Sequence, residues 1–181
     1  LDPVMDGRRF GGWRAPANSA IDGIEQDLAA GVGSVCFSAD LGLLAAVQRD
    51  GTVTAFHVRI IADFGAYNML LTPLIPSLGA FVMGGCYAIP NVQTDIVGVF
   101  TNKCPTDAIR GAGRPEATHM IEVTLDQMAA ELGMDPVEIR RKNFIPADSF
   151  PHAVATGVIY DSGDYNKTLD RLLEHIDLSA F

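Results

Sequence analysis

Apolar positions along the chain change period twice, and each change predicts a different kind of element. Leu43-Leu44-Ala45-Ala46-Val47-Gln48, a turn at Arg49-Asp50-Gly51-Thr52 and the run over residues 53–62 read as a β-hairpin. In its second strand Thr54, Phe56, Val58 and Ile60 are more apolar than Val53, Ala55, His57 and Arg59. The first set is expected to face the core, which leaves His57 on the wetter side as a solvated histidine rather than a metal ligand. Residues 70–85 mix apolar residues with Pro73, Pro76 and Gly79, a pattern of short helical pieces. Residues 92–101 return to strand. Val92, Thr94, Ile96 and Phe100 share one face; the other starts with Gln93 and Asp95 and turns apolar at Val97 and Val99. The second half therefore reads as buried on both sides, with Gly98 marking a bulge or a close approach.

Beyond residue 114 the period becomes helical. Ala117, Ile121, Leu125, Met128 and Leu132 form one stripe of about four turns behind Pro115-Glu116, with Pro115 read as the first helical residue. Gly133 stops that helix, and Asp135-Pro136-x-Glu138 supplies the N-cap, N1 and N3 residues of another. Glu116, Glu122 and Asp126 read as the solvated face of the long helix, and His119 and His175 as surface or packing histidines. Asp161-Ser162-Gly163 is a turn and Asp164 an N-cap; Leu169, Leu172, Leu173 and Ile176 carry a last helix to about residue 176. Near the start, Ile21, Ile24 and Leu28 suggest a short helix over residues 20–30. Arg8-Arg9-Phe10 with Trp13-Arg14 is either a small binding patch or part of a poorly packed leader. The expected fold class is α+β: a mixed sheet over residues 42–101 followed by helices after 115, with 1–40 a leader and 41–181 the folded unit.

Composition narrows the partners. The 181 residues are 48% hydrophobic and 19% charged, with a formal net charge of −9, which argues against nucleic acid or an anionic membrane surface as a partner. Cys36, Cys86 and Cys104 show no CxxC spacing and read as reduced, cytosolic thiols. No apolar run reaches the roughly 18 residues of a membrane span, and no signal peptide is evident. A cytoplasmic protein is expected, and the leucine at position 1 suggests a processed, truncated or excised segment.

The candidate chemistry lies in Arg110-Gly111-Ala112-Gly113-Arg114, directly before the long helix. A glycine-spaced loop between arginines, opening a helix, can aim backbone N–H groups and guanidinium forks at an anion. It can equally be plain connection, with Arg110 and Arg114 pairing with Glu116 or Asp107.

Several further motifs occur in order. Ala62-Asp63-Phe64-Gly65-Ala66-Tyr67 follows the hairpin, and Cys86-Tyr87-Ala88-Ile89-Pro90-Asn91 leads into the next strand. Met134-Asp135-Pro136 and Arg140-Arg141-Lys142-Asn143 come after the long helix. Phe150-Pro151-His152 and Tyr160-Asp161-Ser162-Gly163-Asp164-Tyr165 close the series. From about residue 43 to 177 the chain resembles part of the large, molybdenum-bearing subunit of the xanthine dehydrogenase, aldehyde oxidase and carbon monoxide dehydrogenase family. The resemblance implies a slice of a molybdopterin-binding domain. It also implies a molybdenum–molybdopterin cofactor, in a dinucleotide form, and a small-molecule substrate, an aldehyde or N-heterocycle. Electrons would pass to Fe–S clusters and FAD on partner domains or subunits, so the implied partners are the rest of the large subunit, an Fe–S subunit and an FAD subunit. The positions implied to approach the cofactor are Arg110, Gly111, Ala112 and Gly113: Arg110 toward pterin and metal, Gly111 by leaving the approach open, Ala112 by shaping the substrate side.

The departures from the pattern matter as much. Gly111 and Ala112 stand where the copper-containing members carry cysteine and serine, which speaks against a molybdenum–copper site. Leu78 and Ala112 stand where purine-specific members carry an arginine and a phenylalanine. The family's catalytic glutamate and its upstream glycine-phenylalanine-glycine motif have no counterpart, so no catalytic residue and no metal ligand is assigned. The resemblance supports a piece of the catalytic subunit, with the isolated chain inactive. A non-catalytic scaffold or assembly module of the same fold, or a phosphate-binding domain using the Arg110 loop, remains open.

Overall fold

The computed structural model describes residues 34–39 and 43–177; the expected helix over 20–30 and the Arg8–Arg14 patch lie outside them. A four-stranded sheet is built from β1 (Ser34–Ala39), β2 (Leu43–Gln48), β3 (Val53–Asp63) and β4 (Asn91–Val99), in that order across the sheet. The first three strands are antiparallel and β4 runs parallel to β3. A mixed sheet followed by helices is the α+β arrangement expected. It begins earlier than residue 42, because β1 falls inside the stretch set apart as leader and pairs Ala39 with Leu43. That pairing depends on its neighbour strand, and the short glycine-flanked run gives little local signal of it.

The β2–β3 turn is as read. Gly51 takes φ 88°, its N–H bonds to the Gln48 carbonyl at 2.9 Å, and Asp50 accepts from the Thr52 amide at 3.0 Å. Helix α1 (Leu74–Phe81) crosses between β3 and β4 as a parallel connection requires. Helix α2 (Arg114–Leu132) starts one residue before Pro115 and ends at Gly133, which adopts φ 65°. Ala117, Ile121, Leu125 and Met128 are fully buried and pack with Phe56, Val58, Met83 and Tyr87 as the core. Helix α3 (Pro136–Asn143) is capped by the Asp135 carboxylate, which accepts from the amides of Val137 and Glu138 at 2.6 and 3.3 Å. A short ribbon, β5 (His152–Ala153) with β6 (Ile159–Tyr160), precedes α4 (Tyr165–Leu173). Asp164 caps α4 as expected, but the helix ends at Leu173 rather than 176.

Three expectations are corrected. His57 is 3% exposed, not solvated: both faces of β3 are covered over residues 53–58, and Nε2 lies 2.9 Å from the Asp95 carboxylate on β4. Glu122 and Asp126 are not a free solvated face. The Arg140 guanidinium reaches Glu122 and Asp126 at 2.8 Å each, and the Tyr87 hydroxyl donates to Glu122 at 2.8 Å. This tie locks α3 to α2, and a helical wheel of α2 alone cannot show it because the cation sits on another helix. The second half of β4 is also not covered on both sides: Ile96, Val97 and Phe100 are 38%, 40% and 63% exposed. At Gly98 the close approach is real, since a Cβ there would lie 2.2 Å from the Phe64 ring.

Cys86 and Cys104 are free thiols. Burial, with Glu122 nearby, pushes the Cys86 thiol from 9.0 up to about 11. The folded chain holds this proton more tightly than the unfolded one, so stability should fall as pH rises from about 9 to about 11. At pH 8 its thiolate fraction is roughly a hundredth of an unperturbed thiol's. Peptide-resolved alkylation should therefore modify Cys86 about 100-fold more slowly than a free model thiol; equal rates would show that the thiol is not buried.

Candidate functional site

The site is set where β3 ends. Asp63 turns the chain with its side chain: one oxygen accepts from the Gly65 amide at 3.0 Å and the Thr101 hydroxyl at 2.6 Å, the other pairs with Lys103. The Lys103 ammonium, then these hydrogen bonds, hold the Asp63 carboxyl down at about 2. Gly65 takes φ 75°, and a Cβ there would lie 2.5 Å from the Cys104 carbonyl; only glycine lets the returning loop pass this close.

Residues 101–107 run back along this turn. The Thr101 amide bonds the Gly65 carbonyl at 2.9 Å and the Ala66 amide the Lys103 carbonyl at 3.0 Å. Thr72, fully buried, donates its hydroxyl to the Thr106 carbonyl. Asp107 accepts from the amides of Leu71 and Ala108 at 3.1 and 2.9 Å. Asp107 therefore anchors backbone and does not pair with Arg110.

The glycine loop follows as two consecutive turns, the Ala112 amide on the Ile109 carbonyl at 3.0 Å and the Arg114 amide on the Gly111 carbonyl at 2.9 Å. Gly111 and Gly113 take φ 98° and 82°. The two glycines do different work. A Cβ on Gly113 would lie 2.3 Å from the Gly79 nitrogen and 2.6 Å from the Ile75 carbonyl, so backbone of α1 packs directly on backbone of the loop. A Cβ on Gly111 would meet nothing within 4 Å: that side of the loop is open. Among the described residues no backbone bond takes up the N–H of Gly111 or Gly113. Arg110, Arg114 and Glu116 are exposed, and among the described residues neither arginine side chain makes an ion pair or hydrogen bond. The alternative of Arg110 or Arg114 tied to Glu116 or Asp107 is not what the chain adopts.

Beneath the loop lies a cavity of about 330 Å³ between β3, α1 and the start of α2. Its walls are Ile60, Phe64, Ile75, Met83 and Met120, with Asp63, Glu116, Thr72, Thr106 and Gly113 among them. Apolar walls with carboxylates disfavour an anion. Of the four predicted residues only Gly113 borders this cavity; Arg110, Gly111 and Ala112 belong to the outer face. Among the described residues there are thus two chemically distinct surfaces, an outer one with the unpaired Arg110 and Arg114 and the Gly111 amide, and an inner, mainly apolar one. Sequence reasoning missed Thr72 and Gly79, which position the loop. Thr72 is a polar residue set in an apolar run and Gly79 a glycine inside a helix, and both were visible as exceptions to their surroundings. Among the described residues no three His, Cys, Asp or Glu side chains converge as a metal site.

The molybdopterin cofactor-binding domain family matches residues 38–144. The chain is 36% identical over 162 residues to the carbon monoxide dehydrogenase large chain of Hydrogenophaga pseudoflava, covering 86% of this chain and 20% of that one. It is 32% identical over 139 residues to the nicotine 6-hydroxylase large subunit of Paenarthrobacter nicotinovorans, covering 75% of this chain and 17% of that one. Its structure superposes on that of quinoline 2-oxidoreductase from Pseudomonas putida 86 with a TM-score of 0.71 at 35% identity, covering 77% of this chain and 18% of that one. The chain thus spans a fifth or less of the length of these relatives.

Proposed function

The chain belongs to the molybdopterin cofactor-binding domain family, and from that premise we propose that it is one wall of the cofactor site in the catalytic large subunit of a molybdenum-dependent hydroxylase. The observation that carries this is the open outer face of the glycine loop. Two guanidinium groups, Arg110 and Arg114, unpaired among the described residues, stand beside the Gly111 amide, which no backbone bond takes up among them. Such a donor set, on the N-terminal end of a helix of 19 residues, suits the oxygen-rich, anionic groups of a pterin-bound molybdenum centre.

In this reading Arg110 and the Gly111 amide hold the cofactor, Gly113 fixes the loop that presents them by packing on α1, and Ala112 faces the substrate side. Gly111 keeps the approach clear, because the space a side chain would enter is empty. When bound, the cofactor supplies the transfer of water-derived oxygen to an electron-poor carbon; the protein supplies position and charge. The substrate class is an aldehyde or N-heterocycle, and electrons leave through Fe–S and FAD groups on partner domains or subunits. The general base comes from the rest of the large subunit.

The test is molybdenum per chain in protein purified from its own source. A value near one supports the reading, and Arg110→Ala should then lower metal retention about tenfold with the melting temperature unchanged. A value near zero, where other molybdenum enzymes of that source are loaded, overturns it in favour of a scaffold of the same fold.

A further inference from the structure

Among the described residues β4 is an edge strand, and it has neither the proline nor the lysine that commonly protects an edge. Among the described residues nothing pairs with its outer side. Its nine residues, NVQTDIVGV, include one charge, Asp95, and neither lysine nor proline; long edges without such residues are templates for another strand. The geometry says which groups are free. The Val99 carbonyl accepts from the Phe64 amide on the β3 side. The N–H and C=O of one residue in a strand point to the same side and successive residues alternate. Gln93, Asp95, Val97 and Val99 therefore bond toward β3, while Val92, Thr94, Ile96 and Gly98 turn their backbone groups outward.

The surface beside this edge is apolar. Ile61 on β3 is 64% exposed and is paired in register with Val97 on β4, which is 40% exposed; Phe100, just past the strand, is 63% exposed. A sheet whose apolar residues point both ways belongs under a second layer. The relatives that share this fold are about five times as long as the stretch they have in common with it, so most of the polypeptide in such a subunit lies outside this chain.

We propose that β4 is an interior strand of the parent protein. An extended segment from the remainder of the large subunit, apolar at alternate positions, pairs with the amides of Val92, Thr94, Ile96 and Gly98 and carries cover over Ile61, Val97 and Phe100. This rests on the large-subunit reading above.

The experiment is residue-resolved amide exchange on the 181-residue chain and on the protein purified from its source. In the isolated chain the amides of Val92, Thr94, Ile96 and Gly98 should exchange at least 100-fold faster than those of Gln93, Asp95 and Val97. In a source polypeptide several times larger than 19.3 kDa that alternation should vanish, all seven being protected. Unchanged alternation in that larger polypeptide overturns strand addition and leaves the large-subunit reading standing. Recovery of the sequence from its source only as a 19.3 kDa chain overturns both. Protection that grows with concentration in the isolated chain, with a dimer mass, overturns the proposal in favour of a second copy. Ile96→Pro removes only an outward amide, which an edge tolerates. In the isolated 181-residue chain its melting curve should match that of the unsubstituted chain, while in the larger source polypeptide the same substitution should lower the yield of folded protein at least tenfold; an unchanged yield overturns the proposal.

Discussion

Asn143→Ala should lower the unfolding free energy by roughly 3–5 kcal/mol, read from urea denaturation of the 181-residue chain. Asn143 closes α3 and is 6% exposed. Its Oδ1 accepts from the Val53 amide at 2.8 Å, and its Nδ2 donates to the carbonyls of Gly51 and Ile139 at 2.8 and 2.7 Å. One side chain thus serves the turn before β3, the first residue of β3 and its own helix. Alanine strands these buried groups, each worth about 1–3 kcal/mol when left unsatisfied, and opens a small void. Asn143→Asp should be no milder, because it keeps the acceptor for Val53 but turns a carboxylate toward two carbonyl oxygens. A loss below about 1 kcal/mol for either variant would show that the hairpin turn is held by something else.

Gly113→Ala carries the second large effect, about 3 kcal/mol or more from backbone strain and overpacking together. The added methyl would sit inside the backbone of α1, 2.3 Å from the Gly79 nitrogen, at a φ of 82° that disfavours any side chain. The relief available is to move α1 off the start of α2, which opens the cavity and displaces the Arg110 loop. Gly111→Ala is the matched control. It meets the same left-handed strain, about 1–2 kcal/mol, but no atom within 4 Å. Thermal unfolding should rank Gly113→Ala well below Gly111→Ala. Equal melting temperatures would mean that the α1 contact is loose. If both variants fold, the proposed cofactor role predicts lower cofactor retention in each, Gly111→Ala by filling the open side of the loop and Gly113→Ala by displacing the loop.

Local rules located most of the elements. The hairpin turn at Gly51, the helix stop at Gly133 and the caps at Asp135 and Asp164 each depend on residues within a few positions of one another, so they are visible in the order of residues. The same holds for the stripe Ala117, Ile121, Leu125, Met128, whose period matches the helix it forms. Where contacts cross the chain, the reading failed. His57 has an ordinary alternating position in β3, and only the arrival of Asp95 from a strand 38 residues later shows it to be buried and paired. Glu122 and Asp126 sit on what a single helix presents as its wet side until Arg140 reaches over from α3.

The candidate site divides along the same line. By itself the sequence determined that a glycine loop flanked by arginines opens a long helix, because glycine, proline and the apolar period act locally. Only the tertiary structure decided that Gly113 is a packing glycine and Gly111 an open one, since that depends on where α1 lies. It also decided that Asp107 anchors Leu71 and, among the described residues, leaves Arg110 unpaired. The apolar outer half of β4 is the reverse case. Its pattern encodes burial on both sides, yet Ile96, Val97 and Phe100 stay exposed, with no covering layer among the described residues. Periodicity records what a segment needs; long-range contacts, whose partners the local order of residues does not specify, decide whether it is met.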